Sequence, residues 1–434
     1  MWVSGTLPAM AQDVSGAVAR YARRFHATAG DGHHVASPLG AWILLALCAS
    51  ASGSAGERDR TSAGAGERDR TTRAALTEVL GMDVEAAAAA ATAMLEQPHP
   101  LVSSATAVWN RPGTDTDRLR HWYSSLPPRT GTGPLPEQAL LDAWAKEHSL
   151  GMIDEFPLKV TPDVVLVLAG ALATRVTWEE PFDVAPASAL GPESAWAADL
   201  SRVLSSPPAG HVAFIATTET AGDVIVHAAT AGCGPARLSV VSVAAAPDVA
   251  FGNVLAAAHE IAPTVHDRPP AHRVSLFDLP VGETTLWTIR EDRAPTHAPS
   301  GREERHRAVL PCWAAEGNHD LGDPSLGFPL AARALAPLLE RSGLEFKARQ
   351  AAVAKYGRYG FEAAAVTGGA AIESEPAEGD VRAAELRFGH PYAVVAVTND
   401  TARGPWHGVP VFSGWVGRPE DVPEEDPDDE AADD

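Results

Sequence analysis

Apolar residues recur at helical spacing in the first part of the chain. Over residues 14–25 they fall three or four positions apart after Asp13, which predicts an amphipathic helix that Asp13 caps. Over residues 37–52 they surround the helix axis, which predicts a buried helix beginning just after Pro38. The helical spacing resumes at 73–80 and stops at a glycine, so the chain opens with helices.

Alternating and β-branched stretches replace this spacing farther along the chain. Residues 101–109 alternate as a strand does, and residues 163–178 predict a long strand buried on both faces. A helix over 140–150, ending at Gly151, separates them. Further strands are predicted at 211–217, 223–227, 238–243, 274–279, 284–289, 308–310, 392–398 and 411–416. Because helices lead and strands crowd the second half, we predict an α+β fold with large, mostly antiparallel sheets.

Three segments are predicted to be surface loops. The heptapeptide AGERDRT at 55–61 recurs at 65–71, and a charged, glycine-containing copy of this kind is typical of a tolerated surface insertion that loops out. The charged, proline-containing segments 261–272 and 291–305 are also predicted to be exposed loops.

Composition and net charge argue against some classes of binding partner. The 434 residues are 45% hydrophobic, and 34 Lys and Arg stand against 56 Asp and Glu, a net charge of -22 that argues against nucleic acid or an anionic membrane as a partner. The acidic segment 420–434 is predicted to be a disordered tail. No secretory signal and no membrane span are recognisable, so the sequence by itself predicts a soluble cytoplasmic protein.

A search for catalytic chemistry yields no candidate. The sequence has no phosphate-binding loop, dinucleotide fingerprint or nucleophile elbow, and no pair of carboxylates can be assigned as acid and base. The spacings of its cysteines and histidines match neither a disulfide framework nor a metal site; these residues are Cys48, Cys233, Cys312, His26, His33, His34, His259 and His266. We therefore predict a protein that is not an enzyme and uses no cofactor or metal.

One segment near the C-terminus is unusual for its small residues. It reads GFEAAAVTGGAAIESEPAEGD over 360–380, and its glycines make a stable helix unfavourable. Since its side chains are small on both faces, an extended form could fit between two existing strands of a sheet. The plain alternative is a flexible linker before a C-terminal hairpin.

Five other segments, in chain order, resemble the serpin family. They cover residues 33–52, 140–157, 165–182, 308–328 and 387–421, and the last contains His-Pro-Tyr at 390–392 and Phe-Ser-Gly-Trp-Val at 412–416. Each motif is weak alone, but five in order from about residue 14 to residue 419 make chance implausible.

The resemblance implies one serpin-like domain over 1–419, with an exposed reactive-centre loop at about 358–386. It implies a monomer that inhibits serine proteases, with cysteine proteases as a second target class, by cleavage of that loop and its insertion into a β-sheet. Extracellular location is implied as well. The residues that match the loop's hinge are Gly360, Phe361, Glu362, Ala363, Ala364, Ala365, Val366 and Thr367.

The chain departs from the family pattern at four positions. Phe361 stands where inhibitory members usually have Thr or Ser, and overpacking by its larger side chain is expected to slow insertion. Ser37 of the cluster that governs sheet opening is kept, but Gly40, Gly170 and Gln350 replace the usual Ser, Asn and His. These changes keep open the alternative of a non-inhibitory binding or storage protein.

The cleaved bond can be counted from either end of the loop. Counting from the hinge puts it at Ser374–Glu375, whereas counting back from the His-Pro pair puts it within 377–380; we favour the hinge count. Arg382 is the only basic residue in 360–384 and suits neither count, so a trypsin-like target is not expected. The residues before the favoured bond predict an elastase-like, subtilisin-like or Glu-specific protease.

Overall fold

A computed structural model describes residues 6–53, 63–296, 298–340, 347–361, 377–402 and 404–424. The helices of these residues are α1 Thr6–Ala29, α2 Pro38–Ala49, α3 Ala63–Leu80, α4 Val84–Glu96, α5 Asp117–Tyr123, α6 Gln138–His148, α7 Phe251–Ile261 and α8 Phe328–Leu335. The strands are β1 His34–Ala36, β2 Ser103–Asn110, β3 Gly131–Pro134, β4 Leu166–Ala173, β5 Val176–Thr177, β6 Asp183–Pro186, β7 Arg202–Ser205, β8 Val212–Thr218, β9 Gly222–Cys233, β10 Ala236–Ala245, β11 Arg273–Val274, β12 Gly282–Glu283, β13 Trp287–Thr296, β14 Arg302–Leu310, β15 Trp313–Asp320, β16 Arg349–Tyr356, β17 Gly360–Phe361, β18 Ala377–Arg387, β19 Tyr392–Thr398 and β20 Val409–Val416.

The predicted helix boundaries hold at α2 but not at α1. Ser37 caps α2, because the amide of Gly40 donates to its hydroxyl oxygen at 3.2 Å and Pro38 occupies the first turn. Helix α1 begins at Thr6, so Asp13 lies inside it and does not cap it. Pro8 did not exclude this earlier start, since proline is tolerated in a first helical turn.

The second AGERDRT copy is helical, and the prediction that it loops out was wrong. Residues 65–71 belong to α3, whose Glu67 and Arg70 form an ion pair at 2.5 Å one turn apart. Ala, Glu and Arg are all strong helix formers, which explains the outcome. Gly81 ends the helix at a φ of +73°, as predicted. The first copy lies outside the described residues.

Two sheets hold most of the strands. In a seven-stranded sheet with the order β1-β20-β19-β10-β9-β8-β11, every neighbouring pair for which a register is known is antiparallel. A six-stranded sheet has the order β12-β13-β18-β14-β7-β6, and only β14 and β18 run parallel in it. The α+β class with mostly antiparallel sheets is confirmed.

Several strand and loop predictions need correction. The segment 291–305 is mostly strand, since β13 and β14 extend into it, and its charged side chains lie along the sheet surface. The predicted strand at 274–279 is largely a short helical turn, Leu276–Asp278, capped by Ser275. The long strand predicted over 163–178 is divided into β4 and β5. The fold also continues past residue 419, because Asp421 accepts two backbone hydrogen bonds and Val422 is buried.

Candidate functional site

Two sheet edges face each other across a gap. Strand β4 belongs to the three-stranded sheet β3-β2-β4, and β16 pairs with β15, but no ladder joins β4 to β16 in the described residues. A cavity of about 890 Å³ lies between them and is lined by 162–172 on one side and 347–353 on the other. Strand edges that are unpaired in the described residues have free backbone groups that could pair with a further strand.

The head of this gap holds a short strand that the chain itself supplies. After β16 the backbone turns at residues 357–359 and returns as β17, in which Gly360 pairs with Thr177 and Phe361 with Val176 of β5 in antiparallel register. The amide of Trp178 donates to the Tyr359 carbonyl at 3.0 Å and fixes the turn from the β5 side. The first two hinge residues therefore already occupy the sheet.

Phe361 is buried at the head of the gap. Its side chain is 5% exposed, and its ring meets that of Trp313 edge to face with 6.3 Å between the ring centroids. A small cavity beside the ring, bordered by Ala396 and Ser413, shows that the site is not tightly filled. The structure thus accommodates the ring, and the slowing of insertion expected from it stays a prediction. Neither the other hinge residues, Glu362 to Thr367, nor the predicted bond Ser374–Glu375 falls within the described residues.

The four positions of the predicted sheet-opening cluster come together lower in the gap. Gln350 is hydrogen-bonded to the Ser37 backbone, and the Ser37 hydroxyl donates to the Val411 carbonyl at 2.9 Å. A methyl group on Gly40 would lie 3.1 Å from the Ser37 hydroxyl oxygen, and one on Gly170 would lie 3.9 Å from the Gly40 carbonyl oxygen. Gly170 therefore leaves open space where β4 borders the cavity, whereas the surroundings of Gly40 are already tight.

Strand β18 lies between β13 and β14, so residues 377–386 of the predicted reactive-centre loop belong to a sheet. Arg382 lies within this strand, and its guanidinium donates to the carbonyls of Leu276 at 2.6 Å and Leu279 at 2.8 Å. The segment that connects the hinge strand β17 to β18 is 362–376, shorter than the predicted loop. The predicted loop was too long because its last part, β18, pairs with β13 and β14.

Other predicted residues have structural surroundings. Trp178 and Trp415 are buried core aromatics as predicted, whereas Trp144 is half-buried against Trp109. Cys48 borders the gap, and burial raises the pKa of its thiol to about 12, which keeps it protonated. Within the described part of the chain, no three His, Cys, Asp or Glu side chains are placed to hold a metal, and no helix is long and apolar enough to cross a membrane.

Sequence reasoning missed the partner of Phe361 and the role of Gln350. A large apolar residue in a tract of small ones indicates an apolar pocket, but nothing in the sequence identifies Trp313 as its wall. Gln350 was recognised only as a departure from a pattern, and its two bonds to one backbone residue depend on the pairing of distant strands.

No protein-family model and no curated protein sequence matches the chain. Solved structures do. The chain is similar to the native state of tengpin, a thermophilic serpin, with 13% identity and a TM-score of 0.59 over 96% of this chain and 95% of that one. It is similar to human thyroxine-binding globulin in complex with its hormone, with 13% identity and a TM-score of 0.60 over 94% and 99% of the two chains.

A serpin of Arabidopsis in its native stressed conformation is similar at 15% identity, with a TM-score of 0.56 over 94% of this chain and 98% of that one. The likeness in each case extends over nearly the whole of both chains. The chain has the serpin fold, as the five sequence segments indicated.

Proposed function

We propose that this protein is a suicide inhibitor of serine proteases, with cysteine proteases as a second target class, and that it traps its target by inserting the cleaved loop between β4 and β16. The observation that carries the proposal is the position of Gly360 and Phe361. They already form a strand at the head of a gap between two sheet edges that no ladder joins in the described part of the chain. Residues 362–376 continue directly from that strand.

The register of β17 supports insertion along the full length of β4. Continued down the gap from the pair of Phe361 and Val176, it sets Ala364 opposite Ala173 and Ala371 opposite Leu166, the two ends of β4. Each new backbone hydrogen bond contributes about 0.5 to 1.5 kcal/mol, so a strand bonded along both edges gains on the order of 10 kcal/mol. A gain of that size makes capture effectively irreversible.

Side-chain alternation supports the same conclusion. Phe361 faces the core, so Ala363, Ala365, Thr367 and Gly369 would face it too after insertion. The continued register sets Thr367 opposite Gly170, where a methyl group would meet only the Gly40 carbonyl oxygen, at 3.9 Å. Small side chains on the loop and the glycine on the sheet are thus complementary, and neither requires the core to expand.

The reactive bond is placed at Ser374–Glu375. The other count falls within 377–380, where β18 is paired with β13 throughout and with β14 from Asp380 onward, so these residues are less able to enter a protease active site. The favoured bond lies three residues beyond Ala371, the last residue that β4 can pair. Its neighbours suit an elastase-like, subtilisin-like or Glu-specific protease. Since one chain carries both loop and gap, a monomer suffices.

The proposal is tested by incubation with each of these three proteases, followed by denaturing gel electrophoresis. We expect a complex that survives SDS. In the variant Ala363→Arg the new charge would have to enter the core on insertion, so the loop should be cleaved without trapping. The matched control Glu362→Arg introduces the same side chain on the outward face and should still trap. Clean cleavage with full recovery of protease activity in the unmodified protein would refute the proposal.

A second candidate is a binding or storage protein that keeps the fold without inhibition. The burial of Phe361 favours it, because part of the stabilisation from insertion is already present before cleavage. Thyroxine-binding globulin, one of the similar structures, is complexed with its hormone. The two candidates differ in one measurement. Cleavage of the loop should raise the melting temperature greatly in an inhibitor and leave it unchanged in a protein whose loop does not insert.

A further inference from the structure

Four buried or half-buried histidines meet behind the gap, each from a different element. They are His26 of α1, His34 of β1, His259 of α7 and His319 of β15. The ring centroids of His26 and His34 are 5.1 Å apart, those of His34 and His319 5.8 Å, and those of His26 and His259 6.3 Å. We call these four side chains the histidine cluster.

Hydrogen bonds at the centre of the cluster are all satisfied when its rings are neutral. The Gly32 carbonyl can only accept, so His34 Nδ1 donates to it at 2.7 Å and His34 Nε2 is the acceptor. His26 Nδ1 therefore donates to His34 Nε2 at 2.8 Å, and His26 Nε2 accepts from the Ser413 hydroxyl at 2.7 Å. Both rings are neutral in this arrangement. A second proton on His34 would require His26 to change tautomer, so that His26 Nδ1 accepts and His26 Nε2 donates to the Ser413 hydroxyl.

The cluster adjoins the contacts that attach β15 and β16 to the segment around β1. His33 Nε2 donates to the Ala314 carbonyl, and His319 Nε2 donates to the Val35 carbonyl, each at 2.8 Å. The third contact is the pair of hydrogen bonds between Gln350 and the Ser37 backbone. His319 and Gln350 are direct cross-strand partners in the ladder of β15 and β16. His319 of the cluster thus makes one of these three hydrogen-bonded attachments and adjoins the Gln350 attachment, while His33, next to His34 in sequence, makes the other.

The charges that act on the cluster all disfavour protonation. They are the cluster's own rings, His33 from the segment before β1 and Arg23 from α1, and no carboxylate is among the described charges that act on these rings. Burial is the largest cause in each case. It lowers the pKa of His259 to about 4 and lowers the pKa values of His26, His34 and His319 below the ordinary value.

We propose that the histidine cluster is an acid-sensitive lock, whose protonation detaches β15 and β16 from β1 and widens the gap beside β4. This inference does not depend on protease inhibition, because it concerns the attachment of two strands and not the fate of the loop. Acid would act on it even in a protein that only binds a ligand.

The direction of the pH effect follows from the neutral rings. Histidines that are neutral while attached and free to titrate when exposed take up protons on opening. The attachment is therefore complete above pH about 6.5, the ordinary histidine value, and weakens as pH falls toward 4. Each proton taken up favours opening about tenfold per pH unit in that window.

Hydrogen exchange measures the attachment directly, since it reports strand opening region by region. Protection factors, corrected for intrinsic exchange, are compared at pH 7.5 and pH 5.5. We expect residues 313–320 and 349–356 to lose at least about tenfold protection, as one proton in the window requires. Residues 84–96 of α4, a segment that contains no histidine, should lose far less. Equal losses in the two regions, or no loss in the first, would overturn the proposal.

Matched variants separate the lock from general acid sensitivity. Neither ring nitrogen of His259 has a hydrogen-bond partner in the described residues, so His259→Leu removes a titrating ring without leaving an unpaired group. The control His227→Leu removes a fully buried histidine from β9, away from the lock. We expect His259→Leu to reduce the loss of protection several-fold and His227→Leu to leave it as in the unmodified protein. The same loss of protection in all three proteins would overturn the proposal. If either variant does not fold, the comparison between the two regions of the unmodified protein tests the proposal by itself.

Discussion

The side-chain amide of Gln350 forms hydrogen bonds with both the backbone amide and the backbone carbonyl of Ser37. The Ser37 amide donates to Gln350 Oε1 at 2.9 Å, and Gln350 Nε2 donates to the Ser37 carbonyl at 2.8 Å. This contact joins β16 to the cap of α2 at the position where the family usually has a histidine. A glutamine cannot titrate, so the contact itself does not respond to pH. Sensitivity to acid can enter only through neighbours such as His319.

Removal of this contact should destabilise the protein. Gln350→Ala leaves the amide of buried Ser37 without a partner, while the Ser37 carbonyl keeps the bond from the Ala41 amide, so we expect the free energy of unfolding to fall by about 1 to 3 kcal/mol. Urea unfolding at pH 7.5 measures it. The control is the exposed side chain of Gln97, for which substitution by Ala should change stability by no more than about 0.5 kcal/mol. Equal effects of the two substitutions would show that the contact contributes nothing.

Loss of the Phe361 ring should release the hinge. Phe361→Ala removes a buried aromatic side chain, a change that costs about 3 to 5 kcal/mol in a folded core. Urea unfolding should show this loss, and limited proteolysis should show faster cleavage near the turn before Gly360. Tyr359→Ala, two residues earlier at a side chain that is 40% exposed, is the control and should have a much smaller effect. Unchanged stability in Phe361→Ala would mean that β17 is not held by its ring.

The sequence predicted the elements whose period is long and regular. The buried helix α2 and strands β19 and β20 were found because one uninterrupted pattern covers each. The segment 291–305 was mistaken for a loop because its charges obscure the alternation of an exposed sheet face, and only its pairing with β18 reveals it. The composition of the segment gives no information about that strand pairing.

The candidate site shows the same limit. The small residues after Gly360 indicated a segment able to enter a sheet, and the five serpin-like segments indicated which sheet. The sequence could not show that Phe361 is already buried, since Trp313 lies 48 positions away and meets it only through the return of the chain after β16. The histidine cluster was likewise invisible, because its members are brought together by four separate elements and their spacing in sequence has no pattern.

The helical AGERDRT copy should still be dispensable. Deletion of 65–71 removes about two turns from the start of α3, where the described side chains are mostly exposed, and leaves the buried Leu76 in place. We expect little change in melting temperature and a small loss of helical signal in far-UV circular dichroism. Leu76→Ala, in the same helix, should cost about 2 to 5 kcal/mol and serves as the comparison. A fall in stability as large for the deletion as for Leu76→Ala would show that the copy packs on the fold.

The position of the cleaved bond tests the proposed length of insertion. If β17 continues along β4, pairing ends at Ala371, and a bond at Ser374–Glu375 leaves only three residues to connect the inserted strand to the captured protease. A bond beyond residue 377 would require strand β18 to detach from its neighbours, including the hydrogen bonds of Arg382. Mass spectrometry of the C-terminal fragment released by an elastase-like, subtilisin-like or Glu-specific protease should therefore find its first residue between 373 and 375. A fragment that begins at Ala383 would contradict both the placement of the bond and the predicted class of protease, because it would require a cut after Arg382 inside a paired strand.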